Sequence, residues 1–266
     1  MRVARAFIHR DFLIATSYRA PFAMQVLSIF IAVPLYYFVG RQFGSLGSDF
    51  LVDYQGNYFA FLLIGMAFLD YLVVSLRTFS DRIRDSQLTG TLEIILLSPT
   101  TLNRMLIYSS LWVYVFTTTR FILYLLLGLL FGLDLHDANV PAAVAILMLS
   151  VVSFASVGIM SASVIMVLKQ GEIIHTFLSV VSMFLGGVLF QNAVMPQWLQ
   201  ALSKLLPITH GLQGLRLALL KGVSTAELLP QLAVLALFAT VLVPLALLSF
   251  WAAVRWTKVT GTLAQY

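Results

Sequence analysis

The chain has 266 residues, of which 60% are apolar and 10% charged, with a net charge of +5 and no cysteine. Soluble domains run at roughly 45–50% apolar and about 25% charged, so composition excludes an ordinary soluble enzyme, and the missing cysteines exclude disulfides and thiolate metal sites. The expectation is an all-α integral membrane protein with one membrane domain over residues 1–266.

The N-terminal stretch, residues 1–20, is interrupted by Arg2, Arg5, Arg10 and Arg19, so it lacks the apolar core of a cleaved signal. At 100° per residue Val3, Phe7 and Ile14 share one face and Arg2, Arg5 and His9 the other. That pattern fits an elbow helix lying in the inner membrane interface.

A span needs about 20 apolar residues. Six candidates follow: Pro21 to Gly40, Asn57 to Leu76, Leu102 to Leu133, Val140 to Leu168, Ile173 to Phe190 and Leu229 to Val254. Tyr36, Tyr37, Phe38, Tyr54, Tyr58, Phe59 and Phe61 gather at the outer ends of the first two. An interfacial aromatic belt accounts for them, while Tyr58 and Phe190 also enter as candidates for a substrate pathway.

Two charges fall inside spans, Asp70 and Arg120, and an intramembrane charge is a functional candidate because lipid penalises it. Measured from Arg77 and Arg104, Asp70 sits roughly 10 Å and Arg120 about 24 Å above the inner surface. They miss each other unless the third span protrudes; otherwise Arg120 snorkels or bonds Thr117 to Thr119. Glu172 and His175 open the fifth span, either as a gate or as a solvated helix end.

Between the second and third spans, residues 84–99 carry Leu88, Leu92, Ile95 and Leu96 at helical spacing, with Pro99 as the stop. The stripe is too short to cross a membrane and suits either a groove in a cytosolic protein or the membrane surface. A second ambiguous region covers 192–227. It is apolar but holds Lys204, Pro207, His210 and Arg216, and each cation at mid-bilayer costs roughly 2.5–3.5 kcal/mol. Two outer re-entrant half-helices fit better than a span, one striped by Trp198, Leu202 and Leu205, the other by Leu212, Leu215 and Leu219, with Pro207 as the turn.

With an inner N-terminus, the inner segments hold Arg2, Arg5, Arg10, Arg19, Arg77, Arg82, Arg84, Arg104, Lys169, Arg255 and Lys258, and the outer ones only Arg41, Lys204, Arg216 and Lys221. Basic residues are retained inside, so both termini are expected in the cytoplasm.

The order of these features resembles the type 2 permeases of ATP-binding-cassette exporters. The resemblance rests on the basic elbow, on Gly90-Thr91-Leu92-Glu93 followed by Leu96-Leu97-Ser98-Pro99, on Gly186-Gly187-Val188-Leu189-Phe190 and Met195-Pro196-Gln197-Trp198-Leu199, and on Leu206-Pro207-Ile208-Thr209-His210 with Gly214-Leu215-Arg216. It implies that Arg84, Leu88, Gly90, Thr91, Leu92, Glu93, Leu96 and Pro99 belong to a coupling helix seated in a separate ATPase subunit. It also implies a homodimer of this chain in the cytoplasmic (inner) membrane with two ATPase copies that hold ATP and Mg. The sequence contains no G-x-x-x-x-G-K-[ST] phosphate loop, so no nucleotide cofactor is expected on this chain.

No catalytic residue is expected, and the dispersed histidines, His9, His136, His175 and His210, argue against a metal centre. Membrane lipid is an expected partner and nucleic acid is not. The expected cargo is an amphiphile: a drug, lipid or glycolipid. The alternatives are a polysaccharide or O-antigen-type exporter, or an ion-coupled secondary transporter using Asp70, Arg120 and Glu172.

Overall fold

A computed structural model of the chain describes residues 9–13, 17, 19–43, 57–88, 102–168 and 171–260, and their regular structure is entirely helical. Among the described residues, eight helices follow the short helical segment at 9–13: α1 (Arg19–Phe43), α2 (Tyr58–Leu88), α3 (Leu102–Leu130), α4 (Val140–Leu168), α5 (Gly171–Leu185), α6 (Gln197–Ser203), α7 (Pro207–Leu220) and α8 (Leu229–Thr260). A 3-10 turn at Asn192–Val194 precedes α6.

Five of them, α1, α2, α3, α4 and α8, are long and apolar enough to cross a membrane. The fifth expected span, Ile173 to Phe190, is shorter than the sequence implied. The apolar run continues to Phe190, but α5 has only 15 residues, about 22 Å of helix against a core of roughly 30 Å. Gly187 ends it with φ +74°, a conformation that glycine adopts without the Cβ penalty.

The centre of the bundle is α2. Phe61, Leu63, Ile64, Phe68, Tyr71 and Leu76 are fully buried, because α2 packs against α1, α3, α4, α5 and α7 at once. A helix apolar all round belongs in such a position. α8 lies along α4, and α7 fills the space between α2, α4 and α8. By contrast α1 buries only Ile29, Val33 and Gly40 among its described positions and exposes Met24, Leu27, Ile31, Leu35 and Phe38.

The two ends of the bundle differ. At one, residues 9–13 form a helical segment whose Asp11 is buried and accepts from Arg10 at 2.8 Å and from Arg82 of α2 at 3.0 Å. Phe12 of that segment meets Trp112 edge-on at 5.2 Å. This is the elbow end; of the expected elbow over 1–20, residues 1–8, 14–16 and 18 lie outside the described residues. At the other end Asn139 caps α4 by accepting from the Ala142 amide at 3.1 Å, and its Nδ2 donates to the Val223 carbonyl at 2.9 Å.

One expectation about α2 is corrected. Arg84 to Leu88 do not open a separate loop helix; they are the last residues of an unbroken α2. The remaining coupling residues, Gly90, Thr91, Leu92, Glu93, Leu96 and Pro99, lie outside the described residues.

Candidate functional site

α2 and α3 run antiparallel and are joined by three polar rungs. Arg120 Nη2 meets Asp70 Oδ2 at 2.9 Å. The Tyr71 hydroxyl donates to Thr118 Oγ1 at 3.0 Å, and the Tyr114 hydroxyl to Ser75 Oγ at 2.9 Å. The depth estimate against the Asp70–Arg120 pair is therefore overturned, and the rungs give the reason. They set Arg77 level with about residue 112, so Arg104 lies about eight residues, or roughly 12 Å, beyond it. Arg77 and Arg104 therefore do not mark one level, and the premise of the depth estimate fails. Thr117, Thr118 and Thr119 donate instead to the carbonyls four residues earlier, and Arg120 Nε is buried without an acceptor.

Further along α2, a second charge is handled differently. Arg216 of α7 was counted as an outer-side cation, yet it is 3% exposed. Its Nε and Nη2 donate to the Phe61 carbonyl at 3.2 and 2.8 Å, Nη1 to Gly187 at 2.7 Å and Nη2 to Val188 at 3.0 Å. Its Cζ stands 3.3 Å above the Phe61 ring. Carbonyls just beyond a helix end have no intrahelical donor, and here the guanidinium fork supplies one to two of them. The sequence did carry a signal: at i+4 from Leu212 and i−3 from Leu219, Arg216 lies on the stripe that is now buried.

This clasp fixes the point where the chain leaves α5. α5 starts near the elbow end, where His175 is buried with Nε2 3.2 Å from Ser80 Oγ. It climbs to Gly187, where the chain leaves the helix for the 3-10 turn and α6. α7 then resumes at depth: a Cβ on Gly211 would meet Ser150 and Phe68, one on Gly214 would meet Ile146, and the Ala218 carbonyl accepts from Asn139. Pro207 is not the turn itself. It is the first residue of α7, where a missing N–H costs nothing, and the turn falls on 204–206.

The two expected half-helices are thus unlike. Leu212, Leu215 and Leu219 of α7 are buried, whereas Trp198, Leu202 and Leu205 are 65%, 45% and 69% exposed. His210 Nε2 donates to the Lys204 carbonyl at 2.9 Å, and Tyr58 donates its hydroxyl to the Leu189 carbonyl at 2.8 Å. Phe190 lies 6.2 Å from the Phe184 ring. Arg84 is exposed, and Glu172 stands in the first turn of α5. The structure therefore brings Tyr58, Phe190, Pro207, His210 and Arg216 to one region and Asp70 with Arg120 to another, with His175 near the elbow end. Among the described residues no group of three His, Asp or Glu could hold a metal.

Comparison with known families adds one match: the profile described as ABC-2 type transporter aligns with residues 3–220. No curated protein matches the chain.

Proposed function

This chain belongs to the ABC-2 type transporter family, and on that premise we propose that it is the membrane subunit of an exporter powered by a separate ATPase. It is a multi-pass membrane permease, a transport component. Two copies would pair with each other and with two ATPase chains, which would carry ATP and Mg. The exposed stripe of Ile173, Phe177, Val180 and Phe184 on α5 suits such pairing, as it also suits lipid. Both termini would lie in the cytoplasm below the inner membrane, and the cargo would be an amphiphile: a drug, lipid or glycolipid, with a polysaccharide of the O-antigen type as the alternative.

The observation that supports coupling to an ATPase is the α2–α3 pair. Its two helices are pinned by an ion pair and two hydroxyl bonds, and the segment joining them, residues 89–101, starts and ends at the elbow end. A force on that segment would move both helices as one lever, a rigid-body step of the kind that drives alternating access. In the reconstituted complex, Glu93→Ala or Leu92→Asp should leave ATP hydrolysis running while transport drops to background. Wild-type transport by both variants would remove the coupling role.

The intramembrane Asp70–Arg120 pair favours a second reading, ion-driven transport. Vesicles holding the permease alone decide between them. Under the ATPase reading they move no cargo down a proton or sodium gradient; under the ion-driven one they do, and Asp70→Asn stops it.

A further inference from the structure

Where α5, α6 and α7 meet, they enclose a cavity of about 290 Å³. Its polar wall is formed by Asn192, Gln200, Lys204, His210, Gln213 and Arg216, and no acidic residue lines it. Ala193, Lys204 and Gln213 are exposed, so the cavity opens on the molecular surface between α6 and α7. Lys204 and Arg216 give it a positive field with no carboxylate to cancel it, and such a concave field concentrates anions.

Two further observations narrow the ligand. The volume falls just below the roughly 300–1,000 Å³ of small-molecule sites and equals about ten waters at ~30 Å³ each, which is headgroup size. Finally, α6 is two-faced: Gln200, Ser203 and Lys204 line the cavity, whereas Trp198 and Leu202, continued by Leu205, point outward and exposed. An apolar surface thus borders a cationic, amide-lined pocket.

We propose that this cavity binds a phosphate ester. Lys204 holds the phosphate and Arg216 adds its charge from the wall. The ester is either the headgroup of an amphiphile, whose chains lie along Trp198, Leu202 and Leu205, or a soluble molecule of the same chemistry. The binding step requires neither ATP nor an ATPase, so it stands apart from the exporter reading.

Calorimetric titration of the purified full-length chain in an uncharged detergent tests it, with dihexanoylphosphatidylglycerol, dihexanoylglycerol and glycerol 3-phosphate as probes. The phosphatidylglycerol should bind and the phosphate-free dihexanoylglycerol should not. Lys204→Glu and Gln213→Glu, both at exposed positions, should keep the wild-type unfolding temperature and weaken the phosphatidylglycerol by about tenfold or more. Tighter binding of the lipid than of glycerol 3-phosphate identifies the membrane source, and equal binding a soluble ester; either result upholds the site. Undiminished binding in both variants, equal binding of dihexanoylglycerol, or no binding of either phosphate probe overturns it.

Discussion

A guanidinium taken out of water remains tolerable only where its donors and its charge are both answered. At Arg216 three carbonyls answer the donors and the Phe61 ring lies under the charge. Arg216→Leu removes donors that two post-helical carbonyls depend on, at about 1–3 kcal/mol for each group left bare. Arg216→Lys keeps the charge but cannot fork to three acceptors. Both variants should unfold at lower temperature in detergent, the leucine more so. Gly65 belongs to the same site: a Cβ there would stand 2.5 Å from Arg216 Nη2 and 2.7 Å from the Val188 carbonyl, so Gly65→Val should mimic loss of the clasp. The Asp70–Arg120 pair invites a mutant cycle. Asp70→Asn strands a buried charge, and adding Arg120→Leu should recover much of the lost stability, because an apolar pair avoids desolvation altogether. At this scale the sequence was legible in residue type and misleading in depth. Asp70 and Arg120 announced themselves as charges in lipid, but their separation was measured from arginines assumed to lie at one level.

At the scale of elements, the long helices were readable because twenty apolar residues admit few alternatives. Val140 to Leu168 matches α4 at both ends. The fifth expected span was drawn too long for a related reason: Val188, Leu189 and Phe190 continue the apolar run, and hydropathy does not register that the backbone has turned. What ends the helix is Gly187, together with an arginine 29 residues later in sequence that takes the freed carbonyl. Gly187→Ala should therefore destabilise by about 1–2 kcal/mol, the cost of a left-handed residue with a Cβ, read as a lower unfolding temperature with helical content unchanged. The half-helices were foreseen as an alike, re-entrant pair. They differ: α7 is buried, because its stripe of Leu212, Leu215 and Leu219 packs inward against α2, α4 and α8, whereas α6 exposes Trp198 and Leu202.

For the molecule as a whole, the family match covers residues 3–220, and the helical bundle is the architecture that composition demands. The working unit proposed within it is the α2–α3 lever. Tyr71→Phe combined with Tyr114→Phe removes two rungs and leaves the packing in place. Interhelical hydrogen bonds in membranes average about 0.6 kcal/mol, so the double variant should lose only about 1 kcal/mol of stability. Its ratio of cargo moved to ATP hydrolysed should fall further than that small loss implies, because the lever is less stiff. Transport and hydrolysis measured together on one reconstituted preparation give that ratio directly.

The bonds that Arg216 makes to Phe61, Gly187 and Val188 span only 2.7 to 3.2 Å. Sliding α5 past α7 by a single residue step, about 1.5 Å, would stretch any bond aligned with the slide well past contact. The two segments are in effect riveted, and whatever travels during a transport cycle must carry both of them together. The small helix between them is tied to the same column at its last residue, where buried Ser203 is bonded by Asn192 and twice by Thr209 of α7, so the end of α6 travels with α7 as well.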